Sequence, residues 1–125
     1  EKVLPAIRQM LNLKEEDGYV VIGAIKARST RGHWMNSKKE ARVDYRNISQ
    51  IKQFVETIAH ELVHAKQYAD GRLQQKGGMY TWESKSMGKH PTTFAKYFAL
   101  PWEVEARTKA SEIVEKLIQD GLING

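Results

Sequence analysis

The stretch that decides the fold is QIKQFVETIAHELVHAKQYA, residues 50–69. Its apolar residues recur at spacings of three and four, which places them on one face of an α-helix. Those residues are Ile51, Phe54, Val55, Ile58, Ala59, Leu62 and Val63. Asn47 and Ser49 are suitable N-cap residues, and Asp70-Gly71 is a typical helix stop. The pattern predicts an amphipathic helix over residues 50–69.

The middle of this helix reads His60-Glu61-Leu62-Val63-His64. Two histidines four residues apart share one helix face, so both imidazoles can reach a single metal ion. Glu61 is offset by about 100° and can lean toward a water on that metal without being a ligand. Zinc lowers the pKa of a bound water toward about 7, and a nearby carboxylate then accepts the proton. The motif predicts zinc-dependent hydrolysis with Glu61 as general base.

A catalytic zinc site needs three protein ligands and one open position. Cysteine is absent, so the third ligand must be His, Asp or Glu. The downstream candidates are Glu83, His90, Glu103 and Glu105. Glu103 extends the apolar face of the last predicted helix, where an unpaired carboxylate is costly and a metal would compensate it. Glu105 falls on the polar face and is expected to be a solvated charge.

The remaining patterns indicate an α+β fold in a single domain, residues 1–125. Helical spacing occurs over residues 2–13, and β-branched or alternating runs at 20–25 and 41–46 predict a small, mostly antiparallel sheet. Residues 79–82 are a further strand-like piece. His90-Pro91-Thr92-Thr93 is expected to begin a short helix that contains Phe94, Tyr97 and Phe98. A last helix is predicted from Pro101 to about Ile118, ending near Gly121.

Composition is that of a globular protein, with 41% hydrophobic and 28% charged residues. There is no apolar run of the roughly 18–20 residues that a membrane span requires, and no signal-peptide pattern, which favours a cytoplasmic protein. The net charge of +5 permits contact with nucleic acid without indicating it, because the basic residues are scattered. Their densest group is Lys26, Arg28, Arg31, Lys38, Lys39 and Arg42.

His60-Glu61-Leu62-Val63-His64 followed by Pro101-Trp102-Glu103-Val104-Glu105-Ala106 resembles the gluzincin clan of zinc metallopeptidases. More narrowly, the segment from Tyr97 to Ala106 is similar to that of minimal, phage- and microbe-associated members. The resemblance implies a zincin-like fold in which a C-terminal helix supplies Glu103 as third ligand. Ala106 matches the family pattern. Arg107 stands where the family often has an Asp that supports a zinc-bound histidine, so that support is missing or comes from elsewhere.

The resemblance also implies an endopeptidase that acts on protein or peptide substrates. Gluzincins often use a Tyr or His to stabilise the oxyanion, and Tyr80 and Tyr97 are the candidates for that role. The strand that includes residues 43–46 precedes the active helix and, by analogy with zincins, would pair with an extended peptide. The tryptophans Trp34, Trp82 and Trp102 are expected in the core or in the walls of the cleft.

Two alternatives remain at the level of sequence. Residues 88–94 are faintly similar to the ligand loop of the SprT-like proteases, which act on DNA-associated proteins, and there His90 would be the third ligand. The separation between His64 and His90 is longer than that family's. The other alternative is a non-catalytic domain that binds zinc or peptides. Two imidazoles and one carboxylate suit zinc in either case.

Overall fold

Over residues 2–23, 31–48 and 50–124, which this computed structural model describes, the chain forms four α-helices and two three-stranded sheets. The helices are α1 (Val3–Leu11), α2 (Ile51–Ala69), α3 (Phe94–Phe98) and α4 (Pro101–Gln119). The first sheet contains β1 (Tyr19–Ile22), β2 (Gly32–Met35) and β3 (Glu40–Val43). The second contains β4 (Leu73–Lys76), β5 (Met79–Trp82) and β6 (Lys85–Lys89). The predicted α+β class is confirmed.

Helix α2 is the central element, and it packs against α1, α4, β2 and β3. From Val55 onward its apolar face is buried as the spacing predicts, whereas Ile51 in the first turn is 68% exposed. Gly71 follows the end of the helix with φ of 73°, a left-handed conformation that stops a helix. The predicted N-cap was wrong. Gln50 occupies that position without a side-chain hydrogen bond, and Asn47 ends a short 3-10 turn, Tyr45–Asn47. Ser49 lies outside the described residues.

Helix α4 lies across α2 and completes the core. Its buried residues repeat at three and four, as in a helix with one apolar face: Trp102, Glu103, Ala106, Ala110, Ile113, Val114 and Leu117. Pro101 is in the first turn, where its missing N–H leaves no hydrogen bond unmade. The chain turns at Gly121, which has φ of 73°, so both predicted ends of this helix are confirmed.

The first sheet has the order β1-β3-β2 and is mixed, because β1 runs parallel to β3 while β2 is antiparallel to it. Strand β3 is therefore central. Its alternate residues Ala41 and Val43 are fully buried against the helices. The expectation that this strand would be free to pair with a substrate was wrong, since β1 and β2 occupy both of its edges. Residues 24 and 25, the end of the predicted first strand, lie outside the described residues.

The part of the chain between α2 and α3 forms the second sheet, an antiparallel meander of order β4-β5-β6. Only β5 was expected. Gly77-Gly78 connects β4 to β5, and Glu83-Ser84 connects β5 to β6; all four residues have positive φ, as tight two-residue hairpin turns require. None of the helices within the described residues is long and apolar enough to cross a membrane.

Candidate metal centre

Three predicted metal ligands from two helices meet at one point. His60 and His64 lie one turn apart on α2, with ring centroids 5.0 Å apart and planes nearly perpendicular at 79°. Glu103, in the first turn of α4, places one carboxylate oxygen 3.2 Å from His60 Nε2 and the other 3.1 Å from His64 Nε2. One ligand atom from each residue lies within 4.8 Å of the other two.

This arrangement fits a zinc ion. Two ligands of a tetrahedral zinc, each at about 2.0–2.1 Å from the metal, are about 3.3 Å from each other, close to the separations of Glu103 from both imidazoles. The donor set of two imidazoles and one carboxylate suits zinc. Glu103 is only 6% exposed and has no basic Lys or Arg partner among the described ion pairs, so a cation would compensate its burial.

Electrostatics at the cluster favour a negative Glu103. Burial by itself would raise the pKa of this carboxyl, but the hydrogen bonds and positive charge of the two histidines hold its pKa well below the usual range. Burial would lower the pKa of His64, yet the hydrogen bond to Glu103 and the charges of Glu61 and Glu103 raise it. The carboxylate is therefore charged and suited to a cation, whereas His64 would have to release a proton before its imidazole could bind a metal.

Glu61 lies beside the cluster without belonging to it. Its side chain is buried, and burial raises the pKa of its carboxyl, although the two histidines act in the opposite direction. It lines a cleft of about 560 Å³ together with His60 and Glu103. A buried carboxylate of raised pKa beside a metal-ligand cluster has the properties that a general base needs.

Both candidate tyrosines reach the site. Tyr97, on α3, lies near enough to Glu103 for that negative charge to act on its phenol, and it lines this cleft as well as a second cavity of about 200 Å³. Tyr80, on β5, lines only the second cavity and stacks on Trp102 at 5.2 Å. Burial and the negative charge of Glu103 raise the pKa of both phenols, so both hydroxyls remain protonated donors.

His90 does not join the three ligand atoms. It lies at the rim, where its ring packs against Tyr97 at 5.6 Å and Tyr80 at 6.1 Å. Its Nδ1 lies 2.9 Å from the carbonyl oxygen of Pro91. Glu83, another candidate from the sequence, is exposed and pairs with Arg72. Of the downstream candidates, the geometry therefore brings only Glu103 to the two histidines.

The expectation for Glu105 was wrong. Its carboxylate is partly buried and accepts hydrogen bonds from Arg72, at 2.9 and 2.7 Å, and from Gln67, at 2.9 Å. Burial tends to raise the pKa of this carboxyl, but the hydrogen bonds from Arg72 and Gln67 lower it overall. Helical periodicity alone could not reveal this, because Arg72 comes from beyond the end of α2 and covers the polar face of α4.

Other residues line the site or contact its ligands although the sequence did not predict them there. Gln67 hydrogen-bonds His64, and Tyr68, whose pKa burial raises to about 12, lines the second cavity. Both stand three or four residues after His64, the spacing that places them on its face of the helix. Gly32 of β2 also lines both cavities. A Cβ there would lie 2.7 Å from the Thr57 methyl, so only glycine lets this strand approach α2 so closely.

Comparisons with known protein families, with curated proteins and with solved structures found no match for this chain.

Proposed function

We propose that this protein is a zinc-dependent endopeptidase, as its resemblance to gluzincins implies. The observation that carries the proposal is the convergence of His60, His64 and Glu103 on one point, with the buried carboxylate of Glu61 beside it in a cleft. Two of these residues come from one helix and Glu103 from another, so the cluster requires the tertiary fold. A chance surface pair of histidines would not meet a buried glutamate in this way.

The number of ligands supports catalysis over a structural role. Among the described residues, the cluster of His, Asp and Glu ligands contains three members. Structural zinc sites almost always have four protein ligands, whereas catalytic sites have three and leave a position for water or substrate. The site also opens into a cleft rather than being enclosed by side chains.

His60, His64 and Glu103 would hold the zinc, which supplies Lewis acidity that makes water more acidic and a carbonyl more electrophilic. Glu61 then takes a proton from the attacking water and returns it to the leaving amine nitrogen. Tyr97 or Tyr80 donates a hydrogen bond to the oxygen of the scissile carbonyl as negative charge develops there. Each role falls to a side chain that lines the cavities of the site.

Strand β2 is the element that we expect to bind the peptide backbone. It pairs with β3 on one side, and within the described part of the chain no strand pairs with its other edge. Gly32 and Trp34 bring this strand to the cavities beside Glu61. An extended peptide could add to that edge by main-chain hydrogen bonds, with the scissile bond over the metal. The substrate-binding strand is thus β2 in place of the predicted β3.

The decisive test is Glu61→Gln. The variant should keep its zinc, because Glu61 is not in the ligand cluster. It should lose turnover by about 10²–10⁴-fold, the usual contribution of general acid–base catalysis. Zinc content is measured by elemental analysis, and cleavage of a diverse peptide library by mass spectrometry. Unchanged turnover in Glu61→Gln would contradict the mechanism, and no cleavage by the zinc-loaded wild type would favour a binding module.

Two further measurements separate the proposed function from the SprT-like alternative, in which His90 is the third ligand and the protease acts near DNA. Glu103→Ala should lose zinc while His90→Ala keeps it, and the opposite result would favour the SprT-like arrangement. Adding DNA to the peptidase assay should leave the rate unchanged. Of the scattered basic residues, Lys39 and Arg42 already have acidic neighbours, Asp17 at 3.6 Å and Glu40 at 3.0 Å. Activity that appears only with DNA would support the rival.

A further inference from the structure

Gln67 is a buried amide that touches one of the candidate ligands. Only 1% of the residue is exposed, and its Oε1 lies 2.8 Å from Nδ1 of His64. Its Nε2 donates to the carbonyl oxygen of Trp102 at 3.1 Å and to Oε1 of Glu105 at 2.9 Å. The amide therefore joins the second histidine of α2 to the first turns of α4.

The surroundings fix which way this amide points. A backbone carbonyl and a carboxylate can only accept hydrogen bonds, so the NH₂ group of Gln67 must face Trp102 and Glu105. Its oxygen is then the atom left to face His64. Because that oxygen only accepts, Nδ1 of His64 must carry the hydrogen. In the neutral imidazole this leaves Nε2 with its lone pair, and Nε2 is the atom that faces Glu103 at 3.1 Å.

Glu105 is itself held in place. Arg72 donates to both of its carboxylate oxygens, from Nη1 at 2.9 Å and from Nη2 at 2.7 Å, which is a bidentate and geometrically specific contact. The same guanidinium binds Glu83 at 2.7 Å and lies over the ring of Trp82, 4.6 Å from its centroid. A continuous chain of contacts thus runs from β5 and its following turn through Arg72, Glu105 and Gln67 to His64.

We propose that Gln67 is a positioning residue that fixes the tautomer and ring orientation of His64 for the metal, with Glu105 and Arg72 holding the amide. The inference rests on the proposed function, because it needs a metal at His60, His64 and Glu103. In the gluzincin pattern an Asp often supports a zinc-bound histidine, and Arg107 stands at that position in this chain. Gln67 would give His64 that support instead. Mutation of a residue that hydrogen-bonds a metal ligand typically weakens metal affinity by about 10–100-fold.

The first test is the zinc dissociation constant of Gln67→Leu, measured by competition with a chelator of known affinity. We expect zinc to bind about 10–100-fold more weakly than in the wild type. The absorption spectrum of the cobalt-loaded protein should change as well, because it reports the ligand field of the metal. Lys66→Ala is the matched control. The ammonium of Lys66 contacts the Asn12 carbonyl at 3.0 Å and Asp70, away from the candidate metal ligands. Its loss should leave the zinc dissociation constant and the cobalt spectrum unchanged.

A second pair of variants tests the direction of the hydrogen bonds. Gln67→Glu alone places two carboxylates side by side and should weaken zinc binding. In Gln67→Glu with Glu105→Gln, the new amide can donate to the new carboxylate, which still accepts from His64. Zinc affinity should recover in part in the double variant. Equal affinities for the single and double variants would overturn the proposed polarity of the chain.

These measurements separate the inference from the function on which it rests. Wild-type protein that binds no zinc would overturn both. Wild-type protein that binds zinc, together with an unchanged dissociation constant and cobalt spectrum in Gln67→Leu, would overturn the positioning role alone. Should Gln67→Leu fail to fold, Glu105→Gln decides: it removes the charged acceptor that holds the NH₂ group of Gln67 and the pairing of that acceptor with Arg72. We therefore expect weaker zinc binding, and wild-type affinity would overturn the inference.

Discussion

Two walls of the candidate site are built in different ways. The wall that carries His60, His64 and Glu103 consists of α2 and α4, which pack on each other through buried side chains. A second wall, at the 200 Å³ cavity, comes from the sheet β4–β6 through Leu73 and Tyr80, and the residues of this sheet are mostly exposed. That sheet is attached to the first turns of α4 by ring contacts of Tyr80 and Trp82 with Trp102.

The difference separates the residues that would hold a metal from those that shape the second cavity. Ligand positions depend on the hydrophobic core, so a defect in the core should impair folding and metal binding together. The sheet contributes Tyr80 through a few aromatic and polar contacts, so changes there should alter the cleft while the core and the metal remain. The following variants test this division, in decreasing order of expected effect.

Leu62→Ala should have the largest effect on folding. Leu62 lies between the two histidines in sequence, points into the core and is fully buried. Its truncation should lower the free energy of unfolding by about 2–5 kcal/mol and weaken zinc binding with it. Urea denaturation measures the loss. In the control Met79→Ala, on the exposed sheet, the change should stay within about 0.5 kcal/mol, and equal losses would contradict the division.

Tyr97→Phe should affect turnover and leave zinc content unchanged. If its hydroxyl stabilises the oxyanion, its removal costs about 10²–10³-fold in kcat. Tyr80→Phe should cost less, because Tyr97 lines both cavities whereas Tyr80 lines one. Phenylalanine keeps the stack of residue 80 on Trp102. Kinetics of both zinc-loaded variants compare Tyr97 on α3 with Tyr80 on the sheet, and a larger loss for Tyr80→Phe would assign the role to the sheet.

Gly32→Ala should have the smallest of these effects, about 1–3 kcal/mol of unfolding free energy, because an overpacked contact forces β2 away from α2. The clash is with the Thr57 methyl at 2.7 Å. Adding Thr57→Ser removes that methyl and keeps the hydroxyl that donates to the Gln53 carbonyl at 2.9 Å. Thermal unfolding should show partial recovery in the double variant. Wild-type thermal stability of Gly32→Ala alone would mean that β2 does not approach α2 so closely.

The helical part of the fold could be predicted because its patterns are long and its stops are clear. Residues 50–69 were expected for α2 and Ile51–Ala69 is observed; for α4 the predicted start at Pro101 is observed and its end differs by one residue. The same helical periodicity put Glu103 on the buried face. It also placed His60 and His64 on one side of α2, where the structure has them.

The second sheet could not be predicted from periodicity, because β4 and β6 are mostly polar and exposed, with Leu73 the one buried residue of the two strands. A local signal was present in Gly77-Gly78, a pair that favours a tight hairpin turn. The contacts of Glu105 and Gln67 could not be predicted for another reason. Their partners come from elements distant in sequence, and no helical pattern reports that Arg72 lies over α4.

The origin of the ligands has a consequence for the lifetime of the protein. His60 and His64 come together as soon as one helix forms, whereas Glu103 lies 43 residues beyond His60 and arrives only when α4 docks. A metal held by all three favours the docked chain and adds about 2.7 kcal/mol to stability at 100 times its dissociation constant. Metal supply would then control abundance as well as activity, because chains starved of zinc would open more often to cellular proteases.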